Sequence, residues 1–371
     1  MSSPRSGTRV PFLVLLLVAA VALVSGCGGG DAEPEITDAV ESHAPEDVPY
    51  SPSARFNQLI PDGAETDPRS DAVISRFVEN ANVHRVNIAT TGEVPPIYRV
   101  SSDDPFLSVW VDGEKIRFRV PDQASPGGGE DHPLVLLDRN HPDFGRFVEL
   151  RLFQAWIDRD AGEIYAEGES LSHYNHTDAR LNPDGSRSVG VPFRGGGTGS
   201  GLSILAGLVR PSEVASGRIQ HAVRFAYSAY DSTDRFRAPA TKTDQPKGGY
   251  TRDPDVAMDM GMRLQLDPDV DCDARTVPGK SDRSRETRFL RVLCRAMQEY
   301  GMIMLDGTTN DGILIEMEDD QTADWTSVAG DTREGSYGYI VRSQGSPDDG
   351  LDRNDTSGIP WDRLRVIAEA P

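Results

Sequence analysis

Residues 106–120 read Phe-Leu-Ser-Val-Trp-Val-Asp-Gly-Glu-Lys-Ile-Arg-Phe-Arg-Val. Phe106–Val111 is a β-prone run, and Lys115–Val120 alternates polar with apolar. Asp112-Gly113 between them supplies the residues that tolerate positive φ, so the stretch predicts a two-residue hairpin. The same grammar repeats outward from it. Strand patterns begin at Ile97, and Leu134–Leu137 and Phe147–Ile157 follow. Asp160-Ala-Gly162 turns the chain towards a strand over Glu163–Ser170. Further on, Ile219–Tyr230 reads as a long strand and Gly261–Leu266 as a shorter one. Met302–Leu305 and Ile313–Met317 read as a second hairpin, and Ile359–Val366 as a strand-like end.

Helical spacing is confined to few places. Val73, Ile74, Phe77 and Val78 share a face behind Ser70, which suits an N-cap. Pro211 opens one helical turn that ends at Gly217. Phe289, Leu290, Leu293 and Met297 line a helix over Glu286–Tyr300, with Gly301 in place to end it. Short strands, close-set turns and two or three short helices predict a mainly β protein, a β-sandwich or jelly-roll-like domain. In that arrangement the strand at Pro360-Trp361 closes a sheet begun near Ile97.

The N-terminus carries a different signal. Val10–Val24 is apolar without a charge, preceded by Arg5 and Arg9 and followed by Ser25-Gly26-Cys27. The run is too short for an ordinary spanning helix. It resembles the signal peptide of bacterial lipoproteins, in which the cysteine is the lipobox residue. The resemblance implies cleavage before Cys27, lipid on Cys27, and a palmitate-bearing protein anchored to the cell envelope. Gly28, in place of an Asp, implies outer-membrane delivery where the source has two membranes. The organisation expected is thus a signal peptide at 1–26, an acidic Gly/Pro-rich disordered tether at 27–55, a helical lead-in at 56–95 and a β-sandwich domain at 96–371.

The formal net charge is −21. Acid at this density repels phosphate backbones, which argues against a nucleic-acid partner. It equally opposes anionic lipid headgroups, so the acyl chain has to supply the membrane attachment. With Cys27 lipidated, Cys272 and Cys294 remain. Two readings stay open for them, a disulfide in an oxidising compartment or a pair of buried thiols.

From Pro96-Ile97-Tyr98 onward, several segments resemble an uncharacterised family of exported bacterial β-sandwich proteins. They are Gly201–Arg210, Gly217–Phe225, Gly261–Pro268, Ala296–Ile303 and Pro360–Leu364. The resemblance spans roughly 95–366 and implies a shape similar to concanavalin-like or jelly-roll proteins that handle polysaccharides. No catalytic residue comes with it, and the chain departs from the family pattern over His173–Thr198.

Candidate chemistry is sparse. Regular alternation puts Tyr165, Glu167 and Glu169 on one face, with His173 and Tyr174 beyond. Two carboxylates beside aromatic rings are what glycoside hydrolysis requires, and a solvated strand gives the same pattern. His221 and Arg224 lie three apart on a strand, so alternation separates them, and His221 reads as a core histidine beside Val223 and Phe225. His173 and His176 lack a metal-site context. Asp267, Asp269, Asp271 and Asp273 fail the calcium-loop test, since Cys272 stands at position 6 and Pro278 at position 12. Gly195–Gly201 has no following Lys-Ser/Thr, so it is a flexible or close-packed loop and not a phosphate loop. The four tryptophans, Trp361 among them, read as core residues before sugar-stacking ones. No metal site and no cofactor is expected. Three classes stay open: a glycan-binding surface lipoprotein, a polysaccharide-degrading hydrolase or lyase, and a structural envelope protein. Glu167, Glu169, His173 and His221 are the catalytic candidates; Tyr165, Tyr174, Arg224 and Trp361 are the binding candidates.

Overall fold

The computed structural model describes residues 49–83, 86–174, 180–181, 187–188, 190–250, 253–308, 312–333, 335–342 and 356–368. Cys27 with its signal sequence and His176 lie outside these residues.

In chain order, α1 (Ser70–Val83) leads to β1 (Val86–Ala89), β2 (Ile97–Arg99), β3 (Phe106–Val111), β4 (Glu114–Arg119), β5 (Leu134–His141) and β6 (Gly145–Phe153). Next come β7 (Trp156–Asp158), β8 (Glu163–Ala166), β9 (Gly168–His173), β10 (Arg180–Leu181), β11 (Arg187–Ser188), β12 (Arg194–Gly195) and α2 (Pro211–Ser216). The rest is β13 (Val223–Ser228), β14 (Ser232–Phe236), β15 (Met258–Met260), β16 (Arg263–Leu266), α3 (Arg285–Glu299), β17 (Met302–Thr308), β18 (Ile313–Glu316), α4 (Thr326–Ala329) and β19 (Leu364–Val366). The protein is mainly β with four α-helices among the described residues. None of these helices is long and apolar enough to cross a membrane.

Three sheets are stacked. A six-stranded mixed sheet runs β1-β18-β13-β17-β16-β19, a five-stranded sheet β12-β9-β6-β5-β2, and a four-stranded sheet β4-β3-β8-β7. One core lies between the helices and the six-stranded sheet, joining Phe77 of α1 and Phe289 and Leu293 of α3 to Phe225, Met304 and Ile315. A second joins Ile303 and Leu305 to Val135 and Leu137 of the five-stranded sheet. The third joins the opposite face of that sheet, Leu136, Leu150 and Leu171, to Val109, Phe118 and Ile164. The five-stranded sheet is therefore covered on both faces. The four-stranded sheet has one face against this core and the other facing away from it.

The hairpin of β3 and β4 forms as its sequence predicts. Asp112 (φ 51°) and Gly113 (φ 79°) both take the left-handed turn conformation, and Val111 pairs with Glu114. The Ser284 hydroxyl accepts the Thr287 amide (3.1 Å) to cap α3, and Gly301 (φ 75°) follows its end. Cys272 and Cys294 form a disulfide, with Cα atoms 5.7 Å apart.

Elsewhere the long-range pairing departs from the local reading. β17 and β18 are not a hairpin. β13 lies between them, parallel to β17 and antiparallel to β18. The strand expected over 219–230 is confined to β13. Pro360-Trp361 forms no strand: Trp361–Arg363 is a 3-10 turn, and β19 after it pairs with β16. Ile97 belongs to another sheet, so the C-terminus closes the six-stranded sheet instead. The stretch 56–95 is no separate lead-in, because α1 is part of the first core and β1 edges the six-stranded sheet. Order also begins before residue 56. Tyr50 is fully buried, edge-on to Phe56 at 5.7 Å, and its amide donates to Tyr174 O (3.1 Å). Acidic, Pro-rich composition averaged over a window conceals two aromatic rings that find a core.

Two corners connect the layers. Gln154 (φ 50°) bends the chain from β6 to β7, and Glu167 bends it back from β8 to β9. Each bend moves the strand from one sheet to the other. The Glu167 amide donates to Phe153 O (3.1 Å), and the Gln154 amide nitrogen faces the Glu167 carboxylate at 2.9 and 3.1 Å.

Candidate functional site

Alternation along the four-stranded sheet sends Val109, Phe118, Ile157 and Ile164 into the third core or against it. It sends Trp110, Lys115, Trp156 and Tyr165 the other way. Register then aligns those four. Lys115 pairs with Trp110, Trp110 with Tyr165, and Tyr165 with Trp156, one row across all four strands. At about 4.8 Å per strand the row is roughly 14 Å long.

Both ends of the row reach solvent, and Lys115 at the far end is exposed. Trp156, on the edge strand, is 59 % exposed and Tyr165 is 41 % exposed. Their rings lie 5.6 Å apart at 24°. Lys115 Nζ sits 5.0 Å over the Trp110 ring. Glu163 accepts from Trp110 Nε1 (3.2 Å) and from the Tyr165 hydroxyl, and these bonds fix the middle of the row. The Tyr165 bond first, and the Trp110 bond second, hold the Glu163 carboxyl below its usual range.

A groove of about 940 Å³ runs beside Trp156, with Pro126, His132, Gln154, Asp158 and Arg159 in its walls. Arg159 braces it, donating to the carbonyls of Pro121 (3.1 Å) and Ala124 (2.6 Å). Two wall residues that are not glycine hold the left-handed conformation, His132 (φ 37°) and Gln154 (φ 50°). Such residues cost on the order of 1–3 kcal/mol each and concentrate at functional sites.

The residues singled out from sequence mostly go elsewhere. Tyr165 stands in the row. Glu167 is the corner described above, and Glu169 is on the other sheet, ion-paired with Arg194. The shared face expected for Tyr165, Glu167 and Glu169 does not form, because the corner at Glu167 resets the alternation. The His173 ring lies on Phe193 at 4.7 Å, with Nε2 3.0 Å from Phe144 O. His221 is buried, Nε2 2.9 Å from Glu213 Oε1 and Nδ1 2.9 Å from Ala222 O. Burial alone would raise Glu213, but His221 and Arg210 prevail and hold it at about 2. Tyr174 is fully buried against Phe147. Trp361 is buried, 5.9 Å from Phe77.

Arg224 belongs to an ionic layer between the six- and five-stranded sheets. It is fully buried, bonds Glu316 through Nε and Ile204 O through Nη1 (2.7 Å), and holds Nη2 3.5 Å from Asp306 Oδ2. A register shift in the β13–β17 pair sets Ala226 opposite Asp306, so Asp306 shares the face of Arg224. Burial first, then Glu316, push Asp306 up to about 7 against the pull of Arg224. The Gly195–Gly201 loop is close-packed over this layer. Arg151 Nη1 donates to Gly197 O (3.3 Å). A Cβ on Gly199 would lie 2.5 Å from Asp306 Oδ1 and 2.8 Å from Asp244 Oδ2, which leaves these oxygens within about 5.3 Å of each other, the sum of the two. Among the described residues no three His, Cys, Asp or Glu are grouped to hold a metal.

Sequence reasoning missed Trp156 and Trp110. The signal for Trp110 was present, since it alternates onto the polar face of the hairpin with Lys115 opposite. For Trp156 there was none, because Phe147–Ile157 reads as one strand and the bend at Gln154 is tertiary.

Compared with protein-family models, curated proteins and solved structures, the chain matches none.

Proposed function

We propose that this is a lipid-anchored surface protein whose β-domain binds an extracellular or envelope glycan on the Trp110–Tyr165–Trp156 face. The single observation carrying the reading is the exposed Trp156 indole, stacked on Tyr165 at the mouth of a groove. A pyranose has apolar C–H faces and a hydroxyl rim. It needs a flat apolar plane beside side chains that donate and accept, which Trp156, Gln154, His132 and Asp158 supply together. Among the described large apolar residues Trp156 is the most exposed.

A glycan array probed with the soluble domain starting at residue 49 tests the reading. Trp156→Ala should weaken binding at least about tenfold, 1.4 kcal/mol. Loss of no affinity in that variant refutes it. The anchor is tested separately: Cys27→Ser should leave an unlipidated precursor.

Asp306 and Asp244 favour a second reading, hydrolysis. Their oxygens lie within about 5.3 Å, which is too close for an inverting pair and admits a retaining one, with Asp306 protonated near neutral pH as the acid and Asp244 as the nucleophile. Reducing-end release by the wild type, abolished in Asp306→Asn, is the result this reading requires.

A further inference from the structure

A second cavity, of about 520 Å³, lies beside the six-stranded sheet, away from the aromatic row. Its size is that of a small-molecule site. One wall is the segment 55–65, with Leu59, Ile60, Pro61 and Ala64; the other holds Pro239, Ile303 and Ile367. Leu59 is 55 % exposed. Arg263 of β16 joins the segment to the sheet, donating to the carbonyls of Tyr300 (2.7 Å), Arg55 (3.0 Å) and Gln58 (2.6 Å). No carboxylate among the described residues bonds it, and burial pulls its guanidinium down to about 10. The Arg55 side chain is exposed and has no hydrogen-bond or ion-pair partner among the described residues. Arg237 shares Asp67 and Asp259 with Arg69 and Arg235, three guanidiniums on two carboxylates. Glu65, also unpartnered, is the one carboxylate in the walls. The lining thus sets Arg55, Arg237 and Arg263 against a single glutamate, in a protein whose net charge is −21.

We propose that this cavity binds a single-chain anionic amphiphile, with its alkyl chain between the two apolar walls and its carboxylate or phosphate head on Arg55. Such a head takes two parallel N–H donors from one guanidinium, and Arg55 has all of its donors to offer. A cationic head finds Glu65 alone, with the uncompensated charge of Arg263 against it. The alkyl chain leaves water for Leu59, Ile60 and Ile303, which supplies the affinity that a head group on an exposed arginine lacks. The site goes beyond the glycan reading and does not depend on it, since β16 and β17 belong to a different sheet from Trp156.

Titration calorimetry on the soluble chain from residue 28 tests this. The probes are decanoate, decyl phosphate, decanol and decyltrimethylammonium, each below its micelle concentration, with acetate and inorganic phosphate as heads without a chain. Decanoate and decyl phosphate should bind, and each methylene removed should weaken binding roughly fourfold, 0.8 kcal/mol. Arg55→Gln should weaken both at least about tenfold and leave decanol unchanged. Ala64→Trp, which fills the cavity, should abolish binding, and Trp156→Ala should leave it intact. Arg55 is exposed, so its variant carries the test if Ala64→Trp does not fold. Decanol or decyltrimethylammonium binding as tightly as decanoate overturns the inference. So does acetate or phosphate binding as tightly as the long-chain probes, anion binding indifferent to Arg55→Gln, or no binding at all. None of these results bears on the glycan reading, which stands or falls on the array.

Discussion

Phe77, Phe225, Tyr227 and Trp361 meet beneath α1, with ring centroids 5.8 to 6.1 Å from Phe77. Trp110, Tyr165 and Trp156 stand in register on the outer sheet, two layers away. Both are aromatic groups on a β-sheet, and only the first is roofed. The roofed group is what folding requires: a sheet must bury one face, and helices supply the cover. The open row removes little apolar surface from water at its Trp156 end, so its alignment contributes little to stability. Stability belongs to the roofed end of the stack, and the open end is the one proposed above for recognition.

Trp361→Ala puts the roofed region to the test first. It should cost about 3–5 kcal/mol as a core deletion. An unchanged denaturation midpoint breaks the contrast. Reduction of Cys272–Cys294, which ties α3 to the segment before it, comes next at about 3 kcal/mol in the chain-entropy model. Denaturation with and without reductant measures it, and binding by the open row should survive.

Asp306 gives a pH-dependent effect between the two regions. Its carboxyl rises from an ordinary 3.8 to about 7 in the fold. Over that interval the folded chain keeps a proton the unfolded chain has lost, so stability falls as pH rises, and the penalty is complete above about 7. Asp306→Asn should flatten this slope and stabilise the protein at pH 8. Parallel stability–pH curves for the two proteins refute the assignment. Trp156→Ala should change stability least, by no more than about 0.5 kcal/mol. A larger loss makes the open row a structural element after all.

What could be read from sequence was local. Asp112-Gly113 specifies its hairpin without help from the rest of the chain, and Gly301 ends α3 in the same way. The reading failed where distant strands decide the outcome. Nothing near Met302 or Ile313 announces that β13 will enter between them. The bends at Gln154 and Glu167 change which face each following residue occupies, and a period-2 reading carried through them misplaces Trp156 and Glu169 alike. Tyr165 was found from sequence because it lies between the corners; its partner Trp156 was lost because the reading ran through one.

Tyr50 has a mechanical consequence. Any pull arriving from residues before 49 reaches the domain at this ring, whose hydroxyl donates to Glu149 (2.6 Å) while Ser203 holds the same carboxylate. Glu149 lies on β6, the middle strand of the five-stranded sheet, which is itself the middle layer. Force delivered there loads a side-chain hydrogen bond to a strand that is itself held along both edges, β5 on one side and β9 on the other, so the first barrier is rupture of that bond and of the Tyr50 packing. Forced unfolding is governed by the height of that barrier and not by overall stability. Tension entering at Tyr50 thus meets the middle layer of the stack, and the open four-stranded sheet lies off that path.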